Sequence, residues 1–429
     1  AFGQLTEPFI SDFHHYLLDE KGFSSQMECY ADFGFFPRKD DCYWESPFTS
    51  YTYDKYAYED ACRESVLGKR TYTLCDSLTA TDASYLVEPV DGLWLLAIDG
   101  GVYLPKEMKD GKWTYQGSSA GYNLVLKHKP FLLPWVRKVV EEARKRHKTL
   151  VAFSHYPLVD FNDGVSESVR RMWGDRCFDL HRVPEAEVSE AFLQVGLRLH
   201  FAGHMHVNDT GIWEGKDGKH LYNIQVPSIA TYVPAYKILT IESDEVFRVE
   251  TVMLDTVPGF DSLFPLYRAE YQSDSLRGHS PVWNKEILSA RTYGEFCDYQ
   301  FRDLVRLRFI PRDLPESWQA CLDFTGARML KAVSGEDKSD DADWTDWCMK
   351  DLVLDLYRLR YAERLALKDI PETRLAAYRY LFDRARISPL RSAEVEIVNG
   401  LGTLFLAFLN GEPCQNFVID LEKDAITGD

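Results

Sequence analysis

Two histidines one residue apart follow a glycine at the end of an apolar run, in Leu199-His200-Phe201-Ala202-Gly203-His204-Met205-His206. Residues 149–157 repeat this pattern with one histidine, His155. Neutral imidazole is a common ligand for divalent metals, and sites in open α/β sheets gather at the carboxyl ends of strands. We therefore predict that His155, His204 and His206 bind metal, and that the two apolar runs are neighbouring parallel strands.

The order of the other elements predicts an α/β fold with a layered core, since strands alternate with helices through the middle of the chain. An Asp-Gly turn at 91–92 joins two strands as a hairpin. The predicted strands are 84–90, 93–99, 149–154 and 197–202, followed by a β-meander of 221–229, 235–241 and 246–254. The predicted helices are 25–33, 130–147 and 185–195.

The chain changes character near residue 258, after which the pattern is mainly helical. The predicted helices there are 293–307, 318–331, 344–367 and 373–386, with a charged break at 334–343. We therefore predict a layered domain at 1–257 that lacks its N-terminal strands, and a mainly helical C-terminal region at 258–429.

The composition excludes several classes of partner. A net charge of −18 disfavours a nucleic-acid duplex and an anionic membrane surface. No apolar run reaches the ~18 residues of a membrane span. The nine cysteines show no paired spacing, which argues against a disulfide framework or a Cys-x-x-Cys zinc site. No signal peptide is predicted, and both a cytoplasmic and an exported location stay open.

The two histidine segments together resemble a known family. Phe153-Ser154-His155-Tyr156-Pro157, followed by Phe201-Ala202-Gly203-His204-Met205-His206, resembles the C-terminal half of the calcineurin-like metallophosphoesterases. The strand at 93–99 and the segment 226–241 add to the resemblance, which covers about residues 25–255. The helical C-terminal region is similar to an extension of some bacterial members.

The resemblance implies a β-sandwich flanked by helices that carries two divalent metal ions (Mn, Fe or Zn), with a small phosphomonoester or phosphodiester as substrate. It places His155 and His204 on one metal and His206 on the other. Asn208 and Asp209 follow the histidine pair. By themselves they indicate a turn, and beside a metal site they become candidates for orienting a metal ligand through a hydrogen bond or for facing the substrate.

The family's first three motifs are Asp-x-His, Gly-Asp-x-x-Asp and Gly-Asn-His-Asp/Glu, and they are not found as an ordered set before Tyr30. The resemblance therefore implies a missing bridging carboxylate and impaired hydrolysis. A shortened copy of a complete enzyme and a natural variant with a damaged site both fit. The alternative function is a catalytically silent binding or interaction module that retains the scaffold.

A Gly-Asp at 174–175 and an Asp-x-His at 179–181 also occur, between the two histidine segments. They lie where family members hold a variable loop and do not follow a predicted strand. We expect neither to bind metal, because short motifs recur by accident.

Overall fold

The computed structural model describes residues 34–428 except 76–77, 110–111, 116–117, 176 and 279–282, together with Met27 and Ala31. The helix predicted at 25–33 therefore lies almost wholly outside the described residues. The fold is mixed α/β with a mixed sheet and a helical C-terminal region, which confirms the predicted fold class at that level.

The described residues form fifteen strands. These are β1 Tyr43–Glu45, β2 Thr71–Cys75, β3 Leu78–Thr81, β4 Tyr85–Val90, β5 Leu93–Ala97, β6 Pro105–Lys109, β7 Lys112–Tyr115, β8 Thr149–Ser154, β9 Leu199–Ala202, β10 Asp209–Glu214, β11 His220–Gln225, β12 Ala235–Ile241, β13 Val246–Met253, β14 Asn416–Asp420 and β15 Ala425–Gly428.

The same residues form fourteen α-helices. These are α1 Tyr58–Glu64, α2 Val125–His128, α3 Leu132–Lys145, α4 Ser166–Trp173, α5 Ala186–Gln194, α6 Phe264–Leu276, α7 Tyr293–Leu304, α8 Ile310–Asp313, α9 Glu316–Gln319, α10 Gly326–Ser334, α11 Ala342–Thr345, α12 Met349–Ala362, α13 Glu372–Arg386 and α14 Ala393–Leu409. Short 3-10 turns include Cys177–Arg182 and Glu363–Asp369.

A seven-stranded sheet in the order β1-β4-β5-β8-β9-β11-β10 forms the centre of the first half of the chain. The pairs β5–β8, β8–β9 and β9–β11 are parallel, and the outer pairs are antiparallel. The predicted hairpin is β4–β5, with Gly92 in its turn at a φ of 92°. The predicted parallel neighbours are β8 and β9, so the two histidine segments end side by side.

The predicted meander is wrong as a single unit. Its first strand, β11, pairs with β9 and β10 in the large sheet. Its other two strands, β12 and β13, belong to a second sheet in the order β12-β13-β14-β15. Residues 226–234 carry the chain from one sheet to the other. Apolar periodicity identifies strands but does not assign them to a sheet.

The two sheets face each other across one apolar layer. Val151, Leu199 and Ile224 from the large sheet pack with Val249 and Ile419 from the small one, and all are buried. Helices α3 and α5 cover the other face of the large sheet. Fully burying each such aliphatic side chain contributes roughly 1.5–3 kcal/mol.

The helical region is built around α12 and α14, which bury most of their side chains. Two predicted helices are divided: 318–331 becomes α9 and α10, and 344–367 becomes α11, α12 and a 3-10 turn. The hydroxyl of Thr325 accepts a hydrogen bond from the Arg328 N–H and so caps the start of α10. Of the helices in the described ranges, none has the length and apolar character needed to span a bilayer.

The last strands of the chain return to the first half. β14 pairs with β13 over residues 416–420, and β15 pairs with β14. The segments on either side of the predicted boundary at residue 258 therefore share one sheet.

We predict that Ile419→Ala lowers the free energy of unfolding by about 2–5 kcal/mol, because it opens a cavity in the layer between the sheets. Ile238→Ala on β12 is the matched control, since Ile238 is exposed. The control should cost no more than about 1 kcal/mol, the range of strand propensity. Equal losses in urea denaturation would contradict the proposed layer.

Candidate metal centre

The parallel pairing of β8 and β9 positions the first two histidines. Ser154 is opposite Ala202, and the next residues continue the pairing, since the Gly203 N–H donates to the His155 carbonyl at 3.2 Å. His155 Nε2 and His204 Nδ1 lie 2.7 Å apart. Two imidazoles from segments 49 residues apart in sequence therefore meet at the carboxyl ends of adjacent strands.

The loop after β9 has an uncommon backbone. His204 and His206 both adopt left-handed conformations, with φ of 61° and 57°. Met205 between them is buried, and its N–H donates to the Gly203 carbonyl at 2.7 Å. A non-glycine residue in this region costs of order 1–3 kcal/mol and persists where the surroundings fix it, often at functional sites.

The separation of the two nitrogens is close to that of two ligands on one metal. Two nitrogens bound tetrahedrally at about 2.0–2.1 Å from zinc stand roughly 3.3 Å apart. At 2.7 Å the pair forms a hydrogen bond in which one neutral imidazole donates and the other accepts. For both nitrogens to bind one ion, their separation would have to widen by roughly 0.6 Å. The other His204 nitrogen, Nε2, is buried and has no partner among the described residues.

No third His, Cys, Asp or Glu side chain joins this pair in the described part of the chain. The only group there of three His, Cys, Asp or Glu with ligand atoms within 4.8 Å of one another lies elsewhere. His206 is exposed on the same loop and is near enough to influence the pKa of both other histidines. One Asp-x-His spacing precedes Tyr30, at Asp12-Phe13-His14, and it lies outside the described residues.

The surroundings keep all three imidazoles neutral. Burial lowers the pKa of His204 to about 4, with the Arg182 guanidinium as the next cause. His155 and His206 are exposed overall, but the protein atoms around their rings partly desolvate them and so lower the pKa of each, and in both cases Arg182 adds to the effect. Neutral imidazole is the form that binds metal, so the histidines need not lose a proton at pH 7.

Arg182 is a site residue that the sequence did not reveal. It ends the 3-10 turn Cys177–Arg182, and its guanidinium lies 3.3 Å from the Asp179 carboxylate. Its Nε is buried and has no hydrogen-bond partner in the described ranges. A partly paired guanidinium beside three imidazoles is suited to an anionic substrate group. A lone arginine in a non-periodic segment gives no sequence signal.

The motifs at 174–175 and 179–181 supply no ligand to this pair. Asp175 is exposed and accepts a hydrogen bond from Arg170 at 2.8 Å, and His181 is exposed. Neither residue belongs to a three-ligand group among those described.

Asn208 and Asp209 are buried, so neither presents a substrate-facing surface. The Asn208 amide oxygen accepts a hydrogen bond from Lys237 Nζ at 2.7 Å, and its amide nitrogen contacts the Cys414 sulfur at 3.3 Å. Asp209 is the first residue of β10, whereas the pair by itself indicated a turn. Side-chain contacts in the interior, which the local sequence does not specify, override the turn preference of Asn-Asp.

His200 acts as a structural link beneath the site. Its Nδ1 lies 2.8 Å from the Asn223 amide oxygen, and its Nε2 lies 2.9 Å from the Ser154 hydroxyl. Asn223 Oδ1 also accepts the Leu158 N–H at 2.9 Å, so it is the acceptor for the His200 N–H. The ring thereby ties β9 to β11 and to the residue before His155.

No family model matches the chain, and no curated protein matches it. The resemblance to the calcineurin-like metallophosphoesterases therefore rests on the short motifs around His155, His204 and His206, and it stays a prediction.

We predict a pH-dependent contribution of His200 to stability. Burial lowers its pKa from 6.5 to about 4, so the unfolded chain takes up this proton first as the pH falls. Above pH ~6.5 the His200 ring does not lower the free energy of unfolding. Between pH ~6.5 and pH ~4 the free energy of unfolding falls progressively, by up to about 3 kcal/mol.

His200→Gln should flatten the dependence of the unfolding free energy on pH across this window. His147→Gln, which removes an exposed imidazole, is the control and should keep the wild-type slope. An unchanged slope in His200→Gln would show that His200 is not held neutral.

Proposed function

We propose that this chain is a metal-dependent phosphoester hydrolase of the calcineurin-like type whose hydrolytic activity is impaired. The observation that carries the proposal is the 2.7 Å approach of His155 Nε2 and His204 Nδ1 at the ends of two parallel strands. The left-handed backbone at His204 and His206 adds support, because such conformations cluster at functional sites.

The residues present fit a divalent metal that accepts nitrogen ligands. His155 and His204 would hold one ion, and the resemblance assigns His206 to a second. Such an ion supplies Lewis-acid polarisation of a phosphoryl oxygen and activates water. Arg182 provides a fixed positive charge near the three imidazoles, which attracts and orients a phosphate group.

A catalytically silent binding module is the second candidate. It is favoured by one observation: no carboxylate among the described residues joins the His155–His204 pair to make a three-ligand group. Two-metal hydrolysis needs ligands that hold both ions. The two histidines and Arg182 would still bind metal and phosphate, so the two candidates differ in turnover and not in binding.

We expect the chain to bind Zn²⁺. His155→Gln or His204→Gln should weaken this binding at least about tenfold, because even residues that only hydrogen-bond to a metal ligand contribute that much to affinity. Isothermal titration at pH 7.5 measures the affinity. His181→Gln is the matched control, an exposed histidine that should leave the affinity unchanged. Equal affinities in all variants would remove the histidine pair from the metal site.

We expect little hydrolysis of p-nitrophenyl phosphate or bis-p-nitrophenyl phosphate by this chain with added Mn²⁺, because no carboxylate of the described residues joins the His155–His204 pair. Robust turnover that His204→Ala abolishes would contradict impaired hydrolysis and support the active enzyme. Absent turnover with retained, Zn²⁺-dependent phosphate binding would favour the silent module.

A further inference from the structure

A second group of ligating side chains lies away from the histidines, where the two halves of the chain meet. It consists of Asp163 from the loop after β8, Asp209 from the start of β10 and Glu363 from the end of α12. One carboxylate oxygen of each lies within 4.8 Å of those of the others. Three separate segments therefore converge on one point.

Asp209 lacks the partners that a buried carboxylate normally has. It is 3% exposed, and neither of its buried oxygens has a well-formed hydrogen bond from a described residue; the groups that approach it are the Glu363 carboxyl and the Thr210 N–H, and neither is a cation. Glu363 is 2% exposed, and its Oε1 is also buried and without such a bond. An unpaired buried carboxylate is costly, so a positive partner at this point would be strongly stabilising.

The protein's own cation nearby is committed to other groups. The Lys237 Nζ donates to Asn208 Oδ1, Thr251 Oγ1 and the Cys414 carbonyl, at 2.7, 2.9 and 2.7 Å. These three bonds use all the protons of an ammonium group. Asp160, a neighbouring acid, differs from the cluster because the Ser166 hydroxyl and the Asn162 N–H donate to it.

The backbone holds two of the three acids in unusual positions. Asp163 and Glu363 have φ of 47° and 44°. A Cβ added to Gly411 would lie 2.6 Å from an Asp163 carboxylate oxygen, so the glycine allows the chain to approach that carboxylate. On β11, Gln225 is opposite Asp209 in register, and both of its amide atoms are buried without a described partner. Residues directly opposite share a face of the sheet.

We propose that Asp163, Asp209 and Glu363 form a site for a hard divalent cation of the Ca²⁺ type, which ties the helical region to the large sheet. Ca²⁺ prefers carboxylate and amide oxygens at about 2.3–2.6 Å, so ligands across the ion stand up to about 5 Å apart. The three carboxylate oxygens of this cluster lie within that span of one another. The site differs in donor type from the histidine pair, which offers nitrogen ligands.

The test is the effect of Ca²⁺ on the thermal midpoint of the full chain at pH 7.5, after treatment with a chelator that is then removed. We expect 1 mM Ca²⁺ to raise the midpoint by a few degrees, because an ion that binds only the folded state stabilises it. Asp209→Asn and Glu363→Gln should each abolish this rise. If Asp209→Asn fails to fold, Glu363→Gln decides.

Two controls separate this site from its surroundings. Asp160→Asn removes a nearby acid that already has partners, and His204→Gln disrupts the histidine pair, so both should keep the Ca²⁺ response. No rise in the wild type, or a rise that persists in both cluster variants, would overturn the proposal. Absence of a Ca²⁺ effect together with stabilisation on acidification to pH 6 would also overturn it and identify a proton shared by the acids.

Discussion

The parallel contact between β8 and β9 is the interaction on which the candidate centre depends. It continues past the strand ends, where the Gly203 N–H donates to the His155 carbonyl. Because strand pairing fixes the backbone at both positions, it brings the His155 and His204 rings to within hydrogen-bond distance of each other. His200 supports the same place from below through Asn223 and Ser154. The imidazole pair is therefore a consequence of sheet register.

The second half of the chain contributes strands and one carboxylate that pack against the large sheet. β14 and β15 complete the small sheet, which covers the face of the large sheet opposite α3 and α5. Glu363, directly after α12, meets Asp163 from the loop after β8 and Asp209 from the start of β10 in the large sheet. The two halves thus share both an apolar layer and a cluster of carboxylates. In the proposed account, one cation balances the cluster and another occupies the histidine pair.

Local sequence was sufficient for the elements that carry the histidines. Continuous apolar runs that end in Gly203 or in Tyr156-Pro157 are typical of buried strands, and β8 and β9 lie within the predicted ranges. Their adjacency followed from the α/β alternation. The roles of His155, His204 and His206 as metal ligands stay predictions, since geometry alone brings together only the first two.

Structural features that depend on long-range contacts could not be predicted from the sequence pattern. β10 begins with Asp209, which together with Asn208 indicates a turn by local sequence, but distant segments bury both residues. β14 pairs with a strand about 170 residues earlier, and no local periodicity reports such a partner. The sequence pattern predicts a continuous helix through Glu363. In the structure α12 ends before this residue, and the positive φ of Glu363 turns the chain. Arg182 lies in an irregular turn with no period at all.

The central claim is that His155 and His204 are two ligands of one metal ion. Anomalous diffraction from crystals of this chain soaked in Zn²⁺ tests it directly. The account predicts one strong peak about 2.0–2.1 Å from both His155 Nε2 and His204 Nδ1. Crystals with zinc bound at other positions, while these two nitrogens remain hydrogen-bonded to each other, would contradict it.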